Sequence, residues 1–112
     1  MPDDPDPEAT LAADALRLGE ARAAGGRVVS MGGVRVAREV RDAIEEMAVH
    51  MGQYFRGLIG DLEFDPVPMN SEPLSDDEFL RRLWSDGDRV LYEVSGRGES
   101  VTVWAIVREG EE

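Results

Sequence analysis

Apolar positions change their spacing along the chain, and the changes mark out its elements. Residues 1–7, with three prolines and three aspartates, hold too little apolar surface to order themselves and are expected to be a disordered, acidic, Pro-rich tail. From Glu8 to Ala24, Leu11, Ala15 and Leu18 recur at helical spacing among Ala and Leu, and Gly25-Gly26 supplies a stop. Residues 8–26 therefore read as an N-terminal helical segment with a small apolar face. Whether it packs on the rest of the chain or reaches toward a partner is open at this level. Arg27–Val36 reads as extended, and Gly32-Gly33 either closes a hairpin or ends a strand.

A long helical stripe follows. Val40, Ile44, Met47, Ala48, Met51, Tyr54, Phe55, Leu58, Ile59 and Leu62 recur at three- and four-residue steps. Glycines at 52, 57 and 60 weaken it by about 1 kcal/mol each relative to Ala. A break is expected at Gly52, giving one bent helix or two in succession. Asp65-Pro66-Val67-Pro68 ends the stripe, because proline cannot continue the hydrogen-bond ladder.

Beyond an acidic loop at 69–78, two readings compete for Phe79–Trp84. Ser75-Asp76-Asp77-Glu78 fits a capping box before a short helix, whereas Phe79–Trp84 is also a plausible strand. The last third reads as a hairpin, with strands at Arg89–Ser95 and Ser100–Val107 around a Gly96-Arg97-Gly98 turn. In the final strand Val101, Val103, Ala105 and Val107 alternate with Thr102, Trp104 and Ile106. Both faces are largely apolar, which places this strand inside a sheet with its second face covered.

Composition narrows the function classes. The 112 residues carry 24 acids against 12 basic residues, all of them Arg, for a formal charge of −12. The acidity sits at both ends and the middle is nearly balanced. Such a surface disfavours non-specific binding to nucleic acid or anionic membrane, leaving only a local Arg site. No cysteine is present, so disulfides, a thiol nucleophile and Cys-based zinc sites are excluded. The longest apolar run, Val101–Val107, is far short of a membrane span, and Met1–Pro7 lacks the features of a signal peptide, so a cytoplasmic protein is expected.

The chemistry-bearing residues have plain readings beside the functional ones. His50, the lone histidine, borders the helical stripe and reads as a boundary or core residue without an evident catalytic partner. Asp76-Asp77-Glu78 reads as a helix N-terminus or solvated loop rather than a cation site, and Arg81-Arg82 as either balancing charge or a functional patch. Trp84, Trp104 and the methionines of the stripe read as packing. Neither glycine pair is followed by Gly-Lys-Ser/Thr, so no phosphate loop is present, and no cofactor is expected.

Several stretches carry a family resemblance. Pro73-Leu74, Phe79-Leu80-Arg81-Arg82-Leu83-Trp84, Gly87–Val94 and Val101–Arg108 together resemble the RelE/ParE superfamily of bacterial toxins. Leu62-Glu63-Phe64-Asp65-Pro66 resembles the end of that family's second helix. The resemblance covers about residues 27–108, implying one domain over 27–112. The implied fold is α+β: a small antiparallel sheet of three to four strands in β-α-α-β-β-β order, with a helical hairpin packed on it and residues 8–26 as an extra helix. It favours the strand at Phe79–Trp84.

By the same resemblance, Arg82, Arg89 and Arg108 fall where RNA-cleaving members carry arginines. There they would stabilise a phosphorane-like transition state as catalytic residues. The general acid and base such an endoribonuclease needs have no occupant, because the chain ends Arg108-Glu109-Gly110-Glu111-Glu112 and carries no lysine to grip RNA. The resemblance with this charge implies a toxin-family protein acting mainly by binding protein and neutralised by a cognate antitoxin. The alternative from charge alone is an acidic, non-enzymatic interaction domain that engages a basic protein or imitates the charge of nucleic acid.

Overall fold

A computed structural model of the chain describes residues 7–24, 26–74, 76, 79–95 and 100–108. Most of the expected 1–7 tail, the proposed capping box apart from Asp76, and the Gly96–Gly98 turn lie outside these residues. The described elements are α1 (Pro7–Ala23), β1 (Val28–Met31), β2 (Val34–Ala37), α2 (Arg38–Glu46), α3 (Val49–Asp61), β3 (Ser71–Pro73), β4 (Leu80–Ser85), β5 (Asp88–Ser95) and β6 (Ser100–Val107).

One six-stranded sheet runs in the order β1-β2-β6-β5-β4-β3. All its pairings are antiparallel except β2 with β6, which is parallel. The sheet is therefore larger than the three to four strands expected, for two local reasons. Gly32, at φ 65°, supplies the left-handed turn that folds residues 28–37 into two strands pairing Met31 with Val34. Ser71–Pro73 adds a short edge strand beside β4, ending on a proline.

Residues 80–85 form a strand, as the resemblance favoured. Asp86 and Gly87, at φ 50° and 90°, close a two-residue turn that pairs Ser85 with Asp88. Positive φ at both central positions is the hairpin turn whose twist matches that of the strands, and Asp-Gly suits it. The helical break falls at Met47-Ala48 rather than at Gly52. Gly52 instead lies inside α3, where a Cβ would sit 3.1 Å from the Ile44 carbonyl oxygen, so its missing side chain lets α3 approach α2 closely.

The two faces of the sheet carry different cores. On one, Val36, Val40, Ile44, Phe55, Ile59, Leu83, Val90, Tyr92 and Val103 pack between the strands and the α2–α3 hairpin. On the other, Leu18 of α1 packs on Leu74, Leu91, Ala105 and Val107. β6 is thus covered on both faces, but its alternation is not the expected one. Leu91 pairs with Ala105 and Tyr92 with Val103, leaving Trp104 as a bulge, so Val101, Val103 and Ile106 face the α2–α3 hairpin while Ala105 and Val107 face α1. α1 packs on the sheet and makes the third layer. His50 is solvent-exposed on α3, not a core or boundary residue, because the helix turns its apolar stripe through Phe55 and Ile59 instead.

Candidate functional site

The β4–β5 register places Trp84 opposite Arg89 and Arg82 opposite Leu91, so Arg82, Trp84 and Arg89 share the face that α1 covers. Each arginine is 1% exposed. Burying a guanidinium is costly unless it is paired and hydrogen-bonded, and the partner comes from the N-terminal helix. Asp14, itself 2% exposed, takes both Arg89 Nε at 2.7 Å on Oδ2 and Arg89 Nη2 at 3.1 Å on Oδ1. This is the paired fork for which a guanidinium is shaped. Arg82 Nη1 donates to the same Oδ2 at 2.9 Å and to Thr10 Oγ1 at 3.1 Å.

Two further contacts complete the cluster. Arg82 Nε donates to Glu72 Oε1 at 2.6 Å across the β3–β4 pair, and Trp84 Nε1 donates to the same oxygen at 3.3 Å. The Trp84 ring lies beneath both guanidinium carbons, 4.7 Å from that of Arg82 and 5.4 Å from that of Arg89. Two carboxylates thus face two guanidiniums. Their donors turn inward, so in this conformation the pair offers no open surface to a phosphate.

Arg108 does not join them. Val107 pairs with Arg89, so the next residue turns to the opposite side of the sheet. There its guanidinium carbon lies 5.6 Å from the Phe55 ring centroid on α3, and its Nε is 3.4 Å from Asp88 Oδ2. The three arginines expected together therefore divide into a buried pair under α1 and a partly exposed one beside α3. Near the second, Tyr54 Oη and Ser85 Oγ share a hydrogen bond.

The sequence reading missed Asp14, Thr10 and Glu72. For Asp14 a signal existed: it lies three residues after Leu11 and four before Leu18, an acid in the middle of the only apolar stripe of its helix. On the far face, burial raises the Tyr92 hydroxyl above its usual 10.0, opposed by Ser71 and Arg81, and that hydroxyl donates to the Pro66 carbonyl at 2.8 Å. Among the described residues no group of three or more His, Asp or Glu is placed to hold a metal, and no helix is long and apolar enough to cross a membrane.

No family model matches the sequence, and no curated protein sequence matches it. Comparison of structures does find a counterpart. A chain in the crystal structure of the toxin–antitoxin complex RelBE2 from Mycobacterium tuberculosis aligns with a TM-score of 0.57 at 16% identity, covering 70% of this chain and 98% of that one. At that identity the likeness speaks for the fold, and it agrees with the pattern of the C-terminal strands: the chain has a RelE-like α+β fold.

Proposed function

We infer that this chain is a RelE/ParE-like protein of a toxin–antitoxin module that acts mainly by binding protein and is neutralised by a cognate antitoxin segment. The observation that carries the reading is the closed state of Arg82 and Arg89 within a RelE-like fold. Both guanidiniums are buried on Asp14, and Arg108 lies on the other face. A nuclease needs its cations turned toward the substrate phosphate, whereas a protein-binding member does not. A formal charge of −12 points the same way, since it opposes approach to RNA. An antitoxin segment that folds as it binds can cover a large surface.

Induced expression of the full chain in a bacterial host tests the reading. Growth arrest with intact messenger RNA, relieved by co-expression of a cognate antitoxin, is the expected result. Arrest accompanied by messenger RNA cleavage would replace it with the nuclease that uses Arg82, Arg89 and Arg108. Unimpeded growth would replace it with the acidic interaction domain.

A further inference from the structure

The Asp14 cluster has a property that an ordinary buried ion pair lacks: one partner sits on an element outside the main core. The larger cluster of buried side chains draws on β2, α2, α3, β4, β5 and β6 and includes none from α1. From Thr10 onward α1 buries only Asp14 and Leu18, while Leu16 is 65% exposed. Leu11 and Ala15 pack, only partly buried, on the small Leu18 cluster, and the helix's polar ties include Thr10 to Arg82 and an ion pair from Arg22 to Glu93 at 3.1 Å, with side chains 41% and 22% exposed. A pair that exposed contributes little. The helix leads to β1 through exposed Gly26 and Arg27.

We propose that α1 is a hinged cover: Asp14 plugs the Arg82–Arg89 pair, and α1 lifts off as a unit while the sheet and the α2–α3 hairpin stay folded. The covered face holds two adjacent guanidiniums above the Trp84 ring, on a protein whose net charge is strongly negative. With α1 docked that positive patch is cancelled by Asp14 together with Glu72 of β3. With α1 lifted, both guanidiniums lose Asp14 and regain water, Arg82 keeping Glu72 and Arg89 keeping the Gly87 carbonyl, and one positive charge of the pair is left uncompensated. Local opening is the low-energy route because the arginines need not stay buried and unpaired: lifting the helix solvates them along with Asp14. The inference does not rest on the toxin–antitoxin reading, since its test reads the motion of α1 rather than any effect on growth.

Hydrogen exchange on the full-length wild type decides it. Amides of α1 are expected to exchange at least about tenfold faster than those of β5 and β6, through an opening that leaves the sheet protected. Asp14→Asn weakens the plug and is expected to raise the α1 rates about tenfold further with β5 and β6 unchanged. Labelling with phenylglyoxal, located by mass spectrometry, gives an independent readout. Arg82 and Arg89 react slowly in the wild type beside exposed Arg35 and Arg56, and their rates rise in step with α1 exchange in Asp14→Asn. The milder Arg22→Ala loosens only the exposed end of the helix and should raise α1 exchange two- to threefold, so the test survives if Asp14→Asn fails to fold. Equal protection of α1, β5 and β6 in the wild type would overturn the proposal, making α1 part of one cooperative unit. So would an α1 rate indifferent to both substitutions.

Discussion

Asp14 and Arg89 stand 75 residues apart in the chain and meet through a two-bond fork of 2.7 and 3.1 Å, with both side chains almost wholly buried. This contact joins an N-terminal helix to the central strands and settles which way the arginine face of the sheet looks. Its geometry depends on the planar guanidinium as much as on its charge.

Arg89→Lys separates those two contributions. A lysine keeps the charge but presents a single ammonium point that cannot span both carboxylate oxygens or stack on Trp84. The expected loss is about 1–2 kcal/mol of stability in a urea titration. Arg108→Lys, at a site 30% exposed and 3.4 Å from its carboxylate, should cost less than about 0.5 kcal/mol. Equal losses at the two sites would contradict the division of the arginines between a buried pair and a surface one.

Tyr92 predicts an alkaline limb in stability. Burial holds its folded value above 10.0, so the unfolded chain releases this proton first and ionisation favours unfolding. The contribution is fully present below the unfolded value near pH 10 and is lost as pH rises through the folded one, at up to about 1.4 kcal/mol per pH unit. Tyr92→Phe should flatten that limb. It should also cost about 1 kcal/mol at neutral pH by orphaning the Pro66 carbonyl. Denaturant melts at pH 8, 10 and 11 measure both effects, and an unchanged limb in the variant would refute the assignment.

Two glycines of α3 should respond in different ways to alanine. A Cβ on Gly57 meets no atom within 4 Å, so Gly57→Ala should gain about 0.5–1 kcal/mol by restricting the unfolded chain and favouring the helix. At Gly52 the new methyl would press on the Ile44 carbonyl oxygen at 3.1 Å, which is backbone and yields poorly. Gly52→Ala should therefore recover less of that gain or lose stability outright. Thermal melts of the two variants side by side distinguish them, and an equal rise in both would show that the helices do not need this close approach.

Much of the fold is visible as local pattern. The apolar character of both faces of Val101–Val107 placed β6 inside the sheet, although a bulge at Trp104 moved Ala105 and Val107 to the face opposite Val101 and Val103; the stripe from Val40 to Leu62 marked the two helices, and Leu11, Ala15 and Leu18 marked α1. These signals are legible because burial on one face imposes a period on the residues themselves. The position of the helical break was not legible. Glycine 52 is the weaker helix former, yet the chain breaks at Met47-Ala48, where the path of α3 back across the sheet matters more than propensity.

The candidate site divides along the same line. Its arginines could be read from the C-terminal strands, because strand alternation puts Arg82, Trp84 and Arg89 on one face once the register is known. Their partner is marked only as an acid inside the apolar stripe of α1, which says that Asp14 is buried and not what it meets. In composition Asp14 differs little from the other acids of a charged N-terminal segment, and it acquires its role only when α1 docks against strands 68–75 residues further along the chain. Local spacing can show that a carboxylate lies on a buried face, but not which distant side chains meet it there. Folding alone brings one carboxylate between two guanidiniums and closes the face that the arginines would otherwise open to solvent.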